Sequence, residues 1–284
     1  MKLASYLHSG IASYGVVRAD GIVDLGRRLG ARFPGLRNLL AAGQLDHARE
    51  IASSAAPDLL PTEVTWLPVV PDPERILCVG LNYKMHVQEV VGRSMPTKPV
   101  IFLRLPSSQT AHLGPIMRPR VSQDLDFEGE LAVIVGSRGR YIEARDAMRH
   151  VAGYSIYNDA SVRDWQRHSH QYTPGKNFPS TGAFGPWMVT ADEIPSPKQL
   201  TLTTRVNGVA YQQGRLSDLI FSIEELIAYL SSFTELAPGD VIVTGTPEGV
   251  GSLRQPPVWL RPGDTVEVEI NGIGTLQNTV VQEL

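Results

Sequence analysis

Two glutamates stand two residues apart in Asp126-Phe127-Glu128-Gly129-Glu130, directly before the apolar run Leu131-Ala132-Val133-Ile134-Val135. In a strand, successive side chains alternate between faces. Glu128 and Glu130 therefore project the same way, onto the face continued by Ala132 and Ile134. Two carboxylates heading into an apolar interior repel each other and lose hydration. A divalent cation relieves both problems, and oxygen-only ligands suit Mg2+, Mn2+ or Ca2+ rather than Zn2+. An exposed edge strand with a solvated acidic face would show the same residues. The next apolar run, Tyr154-Ser155-Ile156-Tyr157, ends at Asn158-Asp159. If it lies antiparallel beside the first, Asp159 reaches the same end as the glutamate pair and three carboxylates converge. Taken alone, Asn158-Asp159 also reads as the cap of the following turn.

Three further segments carry reactive groups. In Asn82-Tyr83-Lys84-Met85-His86-Val87-Gln88-Glu89, a helix would place His86 and Glu89 on one face. A carboxylate beside an imidazole orients it and raises its basicity, which is what activation of a water needs, although a surface His–Glu pair has the same spacing. Lys176, in Thr173-Pro174-Gly175-Lys176-Asn177, could stabilise an enolate or carbanion, or be a solvated loop lysine. The run Gly239 to Gly251 is rich in glycine but lacks a P-loop lysine and fails G-x-G-x-x-G. Its hydroxyls and backbone N–H groups could hold a substrate carboxylate, or it could be a plain loop.

The elements that must position these groups are short. Up to about residue 70 the chain reads as strands at 2–7, 12–18 and 22–25, then helical spacing over 36–55 broken near Gly43. Pro57, Pro61, Pro68, Pro71 and Pro73 mark a boundary, so 1–70 is expected as a small α+β module and 71–284 as the catalytic domain. Beyond it, apolar runs at 75–79, 99–103, 131–135, 153–157, 186–190, 200–206, 241–244 and 265–270 predict a β-rich core. The clearest helix is 222–233, with Ile223, Leu226, Ile227 and Leu230 on one face.

Composition excludes several classes. The 284 residues carry a formal net charge of -3, which gives no argument for nucleic acid or an anionic membrane. No apolar stretch approaches membrane-spanning length, and the N-terminus lacks a signal-peptide core, so the cytoplasm is the expected compartment. Cys78 is the single cysteine and sits in an apolar run, which predicts a packed, inert thiol.

In order along the chain, GLNYKMHVQE, DFEGELAVIVG, YNDASVRDWQ, TPGKNF, FGPW and GDVIVTGTPEGVG resemble the motifs of the fumarylacetoacetate hydrolase family, from about residue 72 to the C-terminus. The resemblance implies a mixed β-roll in the C-terminal domain and a homodimer. It implies Glu128, Glu130 and Asp159 as metal ligands, His86 and Glu89 as a water-activating dyad, and Arg163, Gln166 and Lys176 around the substrate's oxygens. Thr246 would lie near the substrate carboxylate. Two departures stand out: Leu103-Arg104-Leu105 where many relatives have a lysine, and Pro179 where several have Asp. The implied reaction is metal-dependent hydrolysis of a C–C bond in an acylpyruvate, giving pyruvate and a carboxylic acid. Decarboxylation of oxaloacetate, isomerisation of a hydroxymuconate-type diacid and non-catalytic binding of a 2-oxo acid are the alternatives. The loop-rich segments 86–96 and 165–180 are expected to close over substrate.

Overall fold

The computed structural model describes residues 1–90 and 94–284. Their architecture is the β-rich α+β type expected, a β-roll built around two large sheets. Nine strands of the larger sheet run in the order Gly21–Asp24, Ile11–Arg18, Lys2–His8, Gly182–Thr190, Val151–Asp159, Gly129–Val135, Val241–Val243, Ile76–Gly80 and Val100–Arg104. The short strands Thr65–Trp66 and Gln109–Ala111 pair onto Lys2–His8 and Gly182–Thr190 respectively. The second sheet orders Val209–Arg215, Thr201–Val206, Thr265–Ile270, Gly274–Gln282 and Pro115–Arg118. The N-terminal strands share the larger sheet with the rest of the chain, because Lys2 and Leu3 pair antiparallel with Val189 and Met188.

The strand Gly129–Val135 organises the interior. Leu131, Val133 and Val135 belong to a core with Leu202, Val268 and Ile270 of the second sheet and Leu226, Ile227 and Leu230 of the helix Ile223–Phe233. Ala132 and Ile134, on the opposite face, pack in a second core with Cys78, Val241 and Val243 and with Leu36, Leu39 and Leu40 of an N-terminal helix. A strand buried on both faces is expected to be apolar on both, and residues 131–135 of this one are, Glu130 being its one buried charged side chain. Gly129 is required where it enters: a Cβ there would meet Thr204 Oγ1 at 2.2 Å and Val268 Cγ1 at 2.9 Å. The glutamate-bearing end of the strand therefore lies hard against the second sheet.

Helical spacing over 36–55 resolves into Leu36–Ala41 and Leu45–Ser54, parted at Gly43, whose φ of +64° favours glycine. The predicted helix 222–233 is Ile223–Phe233, started by a reciprocal capping box between Ser222 and Glu225. No helix among the described residues is long and apolar enough to cross a membrane.

Candidate active site

Gly129–Val135 and Val151–Asp159 are antiparallel, with Gly129 opposite Asn158 and Glu130 opposite Tyr157. The Asp159 N–H donates to Glu128 O at 2.8 Å, and the Glu128 N–H donates to Asn158 Oδ1 at 3.0 Å. These bonds bring Glu128, Glu130 and Asp159 together. One carboxylate oxygen from each lies within 4.8 Å of the others, and all three residues are buried. Burial, together with the charges of Asp159 and Glu128, pushes the Glu130 carboxyl well above its ordinary range. Burial pushes Glu128 in the same direction, but Arg163 and Lys176 outweigh it and hold that carboxyl low. A buried all-oxygen donor set under mutual repulsion fits a hard divalent cation, and these three residues would hold it.

Cations brace this cluster from behind. Lys176 Nζ donates to Glu128 Oε2 and Asp159 Oδ2, both at 2.5 Å, and lies 3.4 Å from Asp159 O. Arg163 donates from Nε to Asp126 Oδ2 at 2.8 Å, from Nη2 to Glu128 Oε1 at 2.7 Å and from Nη1 to Gln166 Oε1 at 2.9 Å. Both residues line the cleft, and these donors are engaged by side chains of the protein. Arg104, where many relatives carry lysine, is fully buried and pairs with Asp159. It also donates to Ala160 O at 2.5 Å and Thr181 Oγ1 at 3.1 Å. The other departure, Pro179, is exposed and does not line the cleft.

His86 and Glu89 share the short helix Lys84–Glu89, and His86 Nδ1 lies 3.3 Å from Glu89 Oε2. Asn82 anchors the start of this segment by donating to Thr244 O at 2.8 Å and accepting from the Phe221 N–H at 2.8 Å. A carboxylate on Nδ1 favours the tautomer with its proton there, which leaves Nε2 to exchange protons. His86 is buried and lines the same cleft as Glu128 and Glu130.

The glycine-rich run Gly239 to Gly251 is bonded within the protein. Its amides hold the protein's own carboxylates: Gly245 N donates to Glu130 Oε2, Gly249 N to Glu89 Oε1, and Gly251 N, together with Ser252 N just after the run, to Asp126. Gly245 and Gly249 have φ of +106° and +94°, so the amides turn inward at positions glycine alone adopts easily. Thr246 lines the cleft, but its hydroxyl donates to Gly129 O at 2.9 Å and accepts from Gln212 Nε2 at 2.8 Å.

Three residues without an assigned role in the sequence prove central. Asp126 accepts from Arg163 and from two loop amides. Gln212 ties Gly129 N to Thr246 and Pro247, and Arg104 fixes Asp159. Asp126 lies in the acidic motif itself, which was a usable signal. Gln212 gave none, because it acts across 83 residues from Gly129.

The cleft holds about 640 Å3. The segment 165–180 forms one wall: Gln166, Arg167, His168, Ser169, His170 and Tyr172 face it, and Tyr172 packs edge-on against Phe102 at 5.7 Å. Of the other expected closing segment, 86–96, residues 91–93 lie outside the described residues.

The sequence model for the fumarylacetoacetate (FAA) hydrolase C-terminal region matches residues 75–281. A human mitochondrial oxaloacetate tautomerase is 42% identical over 239 residues, covering 84% of this chain and 76% of its own. The crystal structure of a fumarylacetoacetate hydrolase from psychrophilic Exiguobacterium antarcticum superposes with a TM-score of 0.84 at 34% identity, covering all of both chains. A maleylpyruvate hydrolase from Sphingobium sp., solved with manganese(II) and pyruvate, does so with a TM-score of 0.82 at 28% identity, again over the whole of both chains.

Proposed function

Because the chain belongs to the fumarylacetoacetate hydrolase family, we propose that it is a metal-dependent enzyme whose His86–Glu89 dyad moves a proton on a 2-oxo acid, interconverting its keto and enol forms. The observation that carries this reading is one cleft lined by His86 and by the buried carboxylates Glu128 and Glu130. The 42% identity to an oxaloacetate tautomerase favours tautomerisation over the other reactions of the family. The expected ion is Mg2+ or Mn2+, with Ca2+ compatible with the same oxygen donors. Held by Glu128, Glu130 and Asp159, a divalent cation supplies positive charge for the oxygens of the 2-oxo acid.

His86 Nε2 takes the proton leaving C3 of the keto form and returns a proton to the carbonyl oxygen, so the enol is formed and His86 ends neutral, with no net change in protons. Glu89, on Nδ1, stabilises the imidazolium while His86 holds that proton. Lys176 and Arg163 keep Glu128 ionised and so hold that one carboxylate ready for a cation. Thr246 fixes the start of the ligand strand through Gly129 O, and Gln166 orients Arg163.

Hydrolysis of an acylpyruvate is the second reading, favoured by the same dyad and by likeness to a maleylpyruvate hydrolase. There His86 would take a proton from water, hydroxide would add to the distal carbonyl, and C–C cleavage would release pyruvate after protonation of its carbon. Mn2+-loaded protein should be given enol-oxaloacetate, and separately fumarylpyruvate and maleylpyruvate, each with and without EDTA. EDTA-sensitive loss of the enol absorption, without pyruvate release from the acylpyruvates, is expected. Equimolar pyruvate and diacid would transfer the assignment to hydrolysis, and pyruvate formed from oxaloacetate would transfer it to decarboxylation. Tight binding with no turnover of any substrate would leave a binding protein.

A further inference from the structure

We infer that Arg167 is a specificity-determining residue that receives the distal carboxylate of a 2-oxo dicarboxylic acid at the mouth of the cleft. The inference rests on the 2-oxo-acid reading above and follows from where the charges of the cleft are committed. The floor places Asp126, Glu128 and Asp159 against Arg104, Arg163 and Lys176, with Glu130 held by a backbone amide. With Glu130 ionised, that cluster carries one net negative charge. A divalent cation reverses it to one net positive charge, which a single substrate carboxylate neutralises. A second carboxylate would have no counter-charge there, and desolvating it unpaired would be costly.

The mouth supplies the missing charge. Arg163 begins a short helix, Arg163–Gln166, and Arg167 follows it, its N–H donating to Arg163 O at 3.2 Å. Residues four apart lie on one side of a helical turn, so the two arginines line the cleft one turn apart. Arg163 is buried and engaged with Asp126, Glu128 and Gln166, whereas Arg167 is exposed and forms no ion pair among the described residues. Ser169 and His170 beside it add hydrogen-bonding groups, and the acidic residues lining the cleft, Glu128 and Glu130, are on its floor. The base of the wall is anchored, because Trp165 packs edge-on against Phe178 at 5.2 Å and at a tilt against His168 at 4.9 Å. A cation-loaded floor with one net positive charge, and the free guanidinium at the opening, suit a ligand that is anionic at both ends.

The test compares stable ligands that differ in one charge. N-oxalylglycine and its distal carboxamide, and the same pair built on β-alanine, are titrated calorimetrically into Mn2+-loaded protein and into Arg167→Met and Arg167→Lys. For at least one length, the diacid should bind the wild type about fivefold or more tightly than its carboxamide, as one partly screened ion pair would give. Arg167→Met should equalise the two by weakening only the diacid, and Arg167→Lys should retain part of the difference. Absence of a preference in the wild type, or its survival in Arg167→Met, would overturn the assignment while carboxamide binding left the 2-oxo-acid reading standing. Failure of every ligand to bind the Mn2+-loaded protein would overturn both.

Discussion

At the scale of single residues, the site separates groups that exchange protons from groups that hold other groups still. In the proposed mechanism His86 is the exchanging group, and its replacement by alanine should lower turnover by roughly 10²–10⁴-fold. Manganese affinity, followed by EPR titration, should stay within a few-fold of wild type, since no metal ligand is altered. Equal loss of both would make His86 a structural residue. Arg104 is a holding group. Its guanidinium and Asp159 are both fully buried, so removing this cation leaves Asp159 only Lys176, which it shares with Glu128, and one more buried negative charge goes uncompensated. In metal-free protein Arg104→Met should cost about 3–5 kcal/mol in urea unfolding, because the uncompensated charge remains in the interior. Arg104→Lys should cost less, retaining the charge while losing the fork that also reaches Ala160 O and Thr181. Identical unfolding of all three proteins would show that the pair contributes nothing.

At the scale of elements, positioning comes from backbone pairing and caps. Ser222 accepts from the Glu225 N–H and Glu225 accepts from the Ser222 N–H, which closes the first turn of a helix whose Leu226 and Leu230 are wholly buried. Ser222→Ala should destabilise the protein by about 1 kcal/mol in the same unfolding assay, and a change within error would mean that packing alone fixes the helix. That helix was legible in the sequence because its apolar spacing and cap agree. The strand Gly129–Val135 was legible because its residues 131–135 are apolar on both faces. Three strands of the second sheet were not. Val209–Arg215 is mostly exposed, with Gln212 buried where an apolar side chain would be expected. Gly274–Gln282 alternates, but buries Asn278 between Leu276 and Val280. Pro115–Arg118 is four residues long. The convergence of Glu128, Glu130 and Asp159 could be expected from two adjacent runs and an antiparallel pairing. The engagement of the loop amides by Glu130, Glu89 and Asp126 could not, because those bonds join residues more than a hundred positions apart and leave no local pattern.

At the scale of the whole molecule, stability couples to pH and to the cation. His112 touches Trp66 edge-on at 6.1 Å and accepts the Gln277 N–H at 3.1 Å, and burial lowers its pKa to about 4. A histidine depressed in the folded state contributes stability that is complete above its unfolded value near 6.5 and is lost as pH falls toward 4. Wild type should therefore lose on the order of 1–2 kcal/mol more than His112→Asn between pH 7 and 4.5, since asparagine can keep the acceptor without the charge. Parallel losses in thermal melts at the two pH values would remove His112 from the account. The cation acts oppositely, binding the folded state and adding about 2.7 kcal/mol at a hundredfold excess over its Kd. Cys78 turns that coupling into a clock. It is the single thiol of the chain, fully buried between the strand carrying Val243 and the strand carrying Phe102, and burial pushes its pKa well up. A disulfide reagent can modify it once those strands part, so labelling of native protein times how often the central sheet opens. Saturating Mn2+ to that same excess should slow the labelling about a hundredfold if opening the sheet also dismantles the carboxylate cluster, and leave it unchanged if the two come apart independently.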